Sequence, residues 1–176
     1  MAKAFFVAGL AGSGKSYYSR MLAKELDLKI IDFDDNFNEF IKAHKSEYEQ
    51  LGSEKFLANY AKQRYKDLID RAVAALKQNK SVVIAAPFSK QMADQSLWDE
   101  LIAPIKSFDA NPTLYWVVIP DELRKKRLIT RSEIRDAEKI KKIDQYISSS
   151  PASVPVVAHI LIQGDKPFVA GLKGNV

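Results

Sequence analysis

Apolar residues along the chain fall in short, nearly continuous blocks, separated by longer stretches with helical spacing. Ala4–Ala8 (AFFVA), residues 81–86 (SVVIAA) and residues 114–119 (LYWVVI) are strand-length blocks with almost no polar interruption. Pro87 and Pro120 end the second and third of them. Lys29–Asp32 (KIID) and residues 159–162 are shorter blocks of the same kind. Between them, Lys15–Leu26 places Tyr18, Met21, Leu22 and Leu26 on one helical face. Residues 36–50 and 53–79 read as two helices broken by Gly52, with Ser53 as N-cap. Residues 91–103 read as a helix, and 121–148 as mostly helical and highly charged. Strands apolar on both faces that alternate with helices predict a parallel sheet covered on both sides, a three-layer α/β domain. Residues 148–155 (SSSPASVP) have turn chemistry without periodicity and are expected to be mobile, and the tail after Gly164 is expected to fray or to form an edge element.

The length of 176 residues suits one domain spanning 1–176. There is no cysteine, which excludes disulfides and thiolate metal sites. No apolar run has the length of a membrane span, and the N-terminus reads directly into a strand, so a cytoplasmic chain without membrane association is expected, as a monomer or homodimer. The net charge of +5 suits anionic partners. Part of the excess is local: residues 124–135 are strongly basic, with Glu133 as their only acid.

The strongest motif is Gly9-Leu10-Ala11-Gly12-Ser13-Gly14-Lys15-Ser16, a full G-x-x-x-x-G-K-[ST] between an apolar strand and an amphipathic helix. Its glycines let the backbone curl so that N–H groups point at an anion. The helix start adds the positive end of its dipole. The pattern places Lys15 at the β- and γ-phosphates of a nucleotide and the Ser16 hydroxyl on Mg²⁺. Gly9, Ala11, Gly12, Ser13 and Gly14 complete the predicted cradle.

The next strand ends at Asp32, and Phe33-Asp34-Asp35 follow it. In a parallel sheet it ends at the same rim as the phosphate loop. Two residues apart in extended chain, Asp32 and Asp34 are expected to point the same way. The third and fourth strands carry no acid at their tips, and Asp121, after Pro120, reads as a helix cap. The phosphate loop, the helix YYSRMLAKEL and DFD at 32–34 resemble the small P-loop kinases, in particular shikimate kinase and its nucleotide- and sugar-kinase relatives. The resemblance implies an ATP-dependent kinase in which Asp32 holds Mg²⁺ through water and Asp34 meets the acceptor hydroxyl as base or orienter, with Asp35 able to exchange roles with Asp34. It also implies an acceptor-binding helical insert at 36–80 and a lid at 121–148.

Arg124, Arg127, Arg131 and Arg135 follow one another at helical spacing and form one face. On a continuous helix Glu133 and Asp136 lie off that face, and Glu138 reaches only Arg135. Compensation by ATP phosphates or by solvent are the two readings. RLITRSEIRD resembles the lid of small P-loop kinases, which implies that Arg127 and Arg131, then Arg135, contact the nucleotide and that Asp136 orients an arginine. The same resemblance puts Pro151 or Pro155 beside the adenine. On the acceptor side, Phe56, Tyr60, Leu68, Val73 and Leu76 are expected in the core, Arg64 and Lys66 are candidate anion holders, and Ser89 and Lys90 are candidate acceptor or phosphate contacts. His44 is expected at the surface and His159 at a strand edge. The expected activity is transfer of a γ-phosphate to a small-molecule acceptor such as a nucleoside or nucleotide. A polynucleotide 5′-hydroxyl kinase and a nucleotide-binding regulator without an acceptor are the alternatives, nucleic acid being the weaker partner because no aromatic–basic tract accompanies the charge.

Overall fold

The computed structural model describes residues 2–132 and 136–168. Their order is β1 (Ala4–Ala8), α1 (Lys15–Leu26), β2 (Lys29–Asp32), α2 (Phe37–Ala43), α3 (Lys45–Leu51), α4 (Ser53–Leu76), β3 (Val82–Ala86), α5 (Ser89–Met92), α6 (Gln95–Lys106), β4 (Thr113–Val118), α7 (Asp121–Arg131), α8 (Ala137–Lys141), α9 (Ile143–Ser149) and β5 (Ile160–Gln163). The strands form one sheet in the order β2-β3-β1-β4-β5. Every pairing is parallel, with Ala8 beside Ala86, Asp32 beside Ala85 and Val118 beside Gln163. The C-terminal ends of all the strands therefore share one rim.

Alternation along β1 shows why both faces are covered. Phe6 joins a core with Leu68 and Ala72 of α4 and with Trp98 and Ile102 of α6. Val7, its neighbour, joins a second core with Tyr18, Leu22 and Ala23 of α1 and with Val117 of β4. This is the three-layer α/β architecture that the apolar blocks predict. Phe56, Leu68 and Leu76 are buried as expected. Among the described residues, no helix is long and apolar enough to cross a membrane.

Several helix boundaries differ from expectation. The stretch 36–50 is broken at His44, whose backbone leaves helical geometry, into α2 and α3. His44 is half-buried, with its ring 4.6 Å from Phe40 and 5.0 Å from Tyr60. Gly52, not Ser53, stands at the N-cap of α4, without a side-chain cap bond. The helix expected at 91–103 is split by Asp94, which caps α6 by accepting from the amides of Ser96 at 2.8 Å and Leu97 at 3.1 Å.

Candidate functional site

β1 delivers the chain to the rim, and residues 9–14 curl back over it. The amide of Ser13 donates to the Leu10 carbonyl at 3.1 Å, and Gly14, in the left-handed region at φ 100°, opens α1 at Lys15. Gly12 (φ 85°) lies flat on α7, where a Cβ would stand 3.0 Å from the Arg124 carbonyl oxygen. Gly164, in the turn after β5, approaches the loop so closely that a Cβ would stand 2.5 Å from the Ser13 carbonyl oxygen. Lys15 is buried at 7% exposure, and the Ser13 hydroxyl is buried without a hydrogen-bond partner among the described residues.

The acids lie one strand away, joined to the loop by a long hydrogen bond from Ser16 Oγ to Asp32 Oδ2 at 3.5 Å. The extended geometry expected for 32–34 is not found. β2 ends at Asp32 and residues 33–36 form a turn, so Asp32 and Asp34 are related by that turn rather than by strand alternation. The Asp34 amide donates to Asp32 Oδ1 at 2.9 Å, while Asp35 accepts from the Asp32 amide at 3.1 Å. Burial raises the Asp32 pKa, the Asp34 and Asp35 carboxylates add to the rise, and the Asp34 amide and Lys15 oppose it.

Two arginines of α4 hold the turn. Arg71 donates to the Asp32 carbonyl at 2.8 Å and pairs with Asp35 at 3.2 Å. Arg64 donates to the Phe33 carbonyl at 2.9 Å, with its guanidinium 4.0 Å from the Phe33 ring centroid. Burial lowers its pKa, and the Asp34 carboxylate is the first influence opposing that. Sequence reading missed Arg71; its signal was the seven-residue spacing from Arg64, two turns along one helical face. Lys66 instead faces outward and pairs with Asp70 on the exposed side of α4.

The arginine face is divided by depth. Arg124 is 1% exposed, donates to the carbonyls of Ser150 at 2.9 Å and Ile147 at 3.3 Å, and pairs with Asp121 at 3.0 Å. It is a structural tie between α7 and the end of α9, not a phosphate contact, and Asp121 lies in the first turn of α7 rather than at its cap. Arg124→Ala is accordingly expected to cost about 3 kcal/mol of stability in urea denaturation; a change within experimental error would remove it from the interior. Arg127 donates to the carbonyls of Ser13 at 3.3 Å and Gly164 at 3.0 Å, bridging the phosphate loop and the turn after β5. Arg135 lies outside the described residues.

Arg131 is paired with Asp136, contrary to the helical-wheel expectation. The helix ends at Arg131 and Ser132 takes left-handed geometry at φ 46°, so a wheel drawn for a continuous helix does not place Asp136. Asp136 is fully buried and accepts from Arg131 Nε at 3.1 Å and Lys139 Nζ at 2.9 Å. Burial pushes the Asp136 pKa upward, but the bonds from Lys139 and Arg131 outweigh it and hold the pKa below the usual value. A depressed carboxylate stabilises the fold above its unfolded pKa and loses that contribution as pH falls through the folded one. The stability gap between the wild-type chain and Asp136→Asn should thus be full at neutral pH and shrink below about pH 4, as read by denaturant melts at several pH values.

Two cavities meet at Gly14 and Tyr17. The first, of about 490 Å³, is lined by the loop, by Ser16, Tyr17 and Arg20 of α1, and by Leu123, Lys126, Arg127, Thr130 and Arg131 of α7. The second, of about 390 Å³, is lined by Tyr17, Tyr18, residues 161–164 and residues 166–168. The tail after Gly164, expected to fray or to form an edge element, instead supplies Lys166, Pro167 and Phe168 to this wall, with the Phe168 ring 5.4 Å from that of Tyr18. Neither Pro151, which is exposed, nor Pro155, which is buried, lines either cavity. Ser89 and Lys90 are exposed at the start of α5, and His159 packs edge-on against Trp116 at 5.4 Å. No group of three or more acidic or histidine side chains among the described residues is arranged to hold a metal. Ser16 and Asp32 are the oxygen donors that face each other beside the loop, and hard oxygen ligands of this kind suit Mg²⁺.

The sequence model of the AAA domain family matches residues 5–149. No curated protein matches the chain. Among solved structures, a sugar kinase from Janibacter sp. HTCC2649 superposes with a TM-score of 0.59 at 15% identity, covering 95% of this chain and 88% of the other. APS kinase from Mycobacterium tuberculosis, solved with AMPPNP and APS, gives 0.57 at 14% identity, covering 94% and 90%. Shikimate kinase from Aquifex aeolicus gives 0.52 at 20% identity, covering 93% and 87%. The fold is that of the small P-loop kinases.

Proposed function

This chain belongs to the AAA domain family, and from that premise we propose that it is an ATP-dependent phosphotransferase. It moves the γ-phosphoryl group to a hydroxyl or phosphate of a small-molecule acceptor. The observation that carries the reading is the contact of Ser16 with Asp32, which joins a complete phosphate loop to an acidic turn at the same rim. Phosphoryl transfer needs positioning and charge neutralisation more than covalent chemistry, and these residues supply both.

In this reading the first cavity takes the triphosphate and the second takes the base, between Tyr17 and the turn after β5. The amides of residues 9–14 and Lys15 hold the β- and γ-phosphates, and Arg131 approaches them from α7. Ser16 and Asp32 would hold Mg²⁺, which supplies charge neutralisation at the phosphate oxygens. Asp34 accepts the proton of the acceptor hydroxyl, and Arg64 beside it favours an acceptor with an anionic group. Arg127, strapped to two carbonyls between the cavities, contacts the nucleotide where its phosphates meet its ribose. Residues 36–80 form the acceptor side and 121–148 the lid of one domain, whose closure limits hydrolysis by water. A cytoplasmic setting, where ATP and Mg²⁺ are plentiful, belongs to the same reading.

A γ-phosphate transfer screen across nucleosides, nucleoside monophosphates, sugars and short oligonucleotides, with an ATP-only control, tests it. Transfer to a small molecule supports the reading; labelled oligonucleotide alone would make the chain a polynucleotide kinase, and tight ATP binding without any transfer would make it a regulator. Arg131→Ala should slow transfer about 100-fold. It should also lower the melting temperature, because Asp136 stays fully buried and Asp136 Oδ2 loses the Arg131 donors, while Lys139 holds only Oδ1.

A further inference from the structure

The first cavity carries more positive charge than a triphosphate needs. Lys15, Arg20, Lys126, Arg127 and Arg131 line it, and none of its described lining residues is acidic. Lys15 acts electrostatically on Asp32, Arg127 is bonded to two carbonyls, and Arg131 is paired with Asp136. Arg20 and Lys126 differ from these. Both are exposed, and neither makes a hydrogen bond or ion pair among the described residues. Their positions are nevertheless set by the helices. Arg20 lies three and four residues beyond Tyr17 and Ser16 on the cavity face of α1, and Lys126 lies between Leu123 and Thr130, at spacings of three and four, on the cavity face of α7. The two cations therefore stand on opposite walls of one concavity. Asp32 and Asp34, the acids of the neighbouring turn, do not line it.

Like charges gathered on one concavity repel one another modestly where they are exposed, and an anion bound between them turns that repulsion into attraction. Lys15, Arg127 and Arg131 already match a triphosphate that a divalent cation partly neutralises. We propose that Arg20 and Lys126 form a second anion subsite in the first cavity, which takes a phosphate group additional to the triphosphate chain. This rests on the reading of that cavity as the donor site. The chemistry is a guanidinium fork from α1 and an ammonium from α7 closing on one phosphate. That phosphate has two sources: the ribose of the bound nucleotide, or a separate small phosphoanion bound beside it.

Calorimetric titration of the whole chain separates these sources. The probes are ADP, ADP carrying an additional 2′- or 3′-phosphate, and pyrophosphate added with and without saturating ADP. The expected result is a gain of about tenfold in affinity for the ribose-phosphorylated nucleotide over ADP, or binding of pyrophosphate to the ADP-saturated chain. The arm that gains identifies the source. The Arg20→Ala/Lys126→Ala double variant should abolish that gain and keep ADP affinity within about twofold; both side chains are exposed, and an unchanged melting curve checks the fold. Absence of a gain in both arms overturns the proposal. So does a double variant that weakens plain ADP as strongly, because the two cations would then belong to the triphosphate clamp. Failure of ADP to bind the wild-type chain would overturn the donor-site reading instead. The pyrophosphate arm without ADP would still decide whether Arg20 and Lys126 hold an anion.

Discussion

Lys15→Ala is expected to abolish detectable phosphoryl transfer and to leave the chain folded. Lys15 is the first residue of α1 and is buried in the loop that residues 9–14 build. A point charge fixed in a site of low exposure acts on developing phosphate charge with little screening, and removal of one such group costs at least about 10²–10³ in turnover. Nucleotide affinity should fall as well, because the same charge serves the bound ground state. The fold has little reason to follow. α1 is anchored by Tyr18, Leu22 and Ala23 in the core, not by Lys15, and its start is set by Gly14. Alanine is the best helix former at the vacated position. One internal change is expected: Asp32 loses a neighbouring cation that holds its pKa down, so its already raised pKa should rise further. A transfer assay, an ATP titration and a melting curve on the same preparation check all three statements. Full activity in the variant would remove Lys15 from the site; an unfolded variant would give it a structural role.

What the sequence revealed and what it concealed divide along physical lines. β1, α1 and β2 were legible to the residue, because each apolar block is bounded by residues that break it, Gly9 after the first and Asp27 before the third. The phosphate loop was legible because its geometry is local. The arginine face was only half legible. A helical wheel gives direction but not depth, and Arg124 sinks into the interior because Gly12 leaves it room on one side and the carbonyls of Ile147 and Ser150 return on the other. The Arg131–Asp136 pair is hidden from a helical wheel continued past Ser132, and only the resemblance to a kinase lid, which implied that Asp136 orients an arginine, pointed to it. The turn at 33–36 could have been read, since Asp34-Asp35-Asn36 is turn chemistry and Asn36 does adopt φ 60°. No local pattern announces that residues 164–168 return to wall the second cavity. That follows from β5 lying beside β4 in the sheet, a long-range fact.

Asp34→Asn is expected to lower turnover by about 10²–10⁴ and to leave nucleotide affinity almost unchanged. An asparagine keeps the backbone amide that donates to Asp32 Oδ1 at 2.9 Å. The turn also keeps its other ties, from Arg71 to the Asp32 carbonyl at 2.8 Å and to Asp35 at 3.2 Å. What disappears is the negative charge and a carboxylate able to take a proton from the acceptor. Two neighbours respond in predictable directions. Asp32 loses a like charge that raises its pKa, so it ionises more readily and is, if anything, a better oxygen ligand. Arg64 loses the first influence opposing its desolvation, so acceptor affinity should change while ATP affinity does not. Asp32→Asn should give the opposite split, with nucleotide–metal affinity weakened first, because it removes charge from the oxygen that faces Ser16. Measuring kcat with KM for ATP and for the acceptor in both variants distinguishes the roles. If Asp34→Asn weakens ATP binding and spares turnover, Asp34 belongs to the metal and the acceptor's proton must go elsewhere on the rim. Asp35, already engaged by Arg71 and the Asp32 amide, would be the poorer replacement.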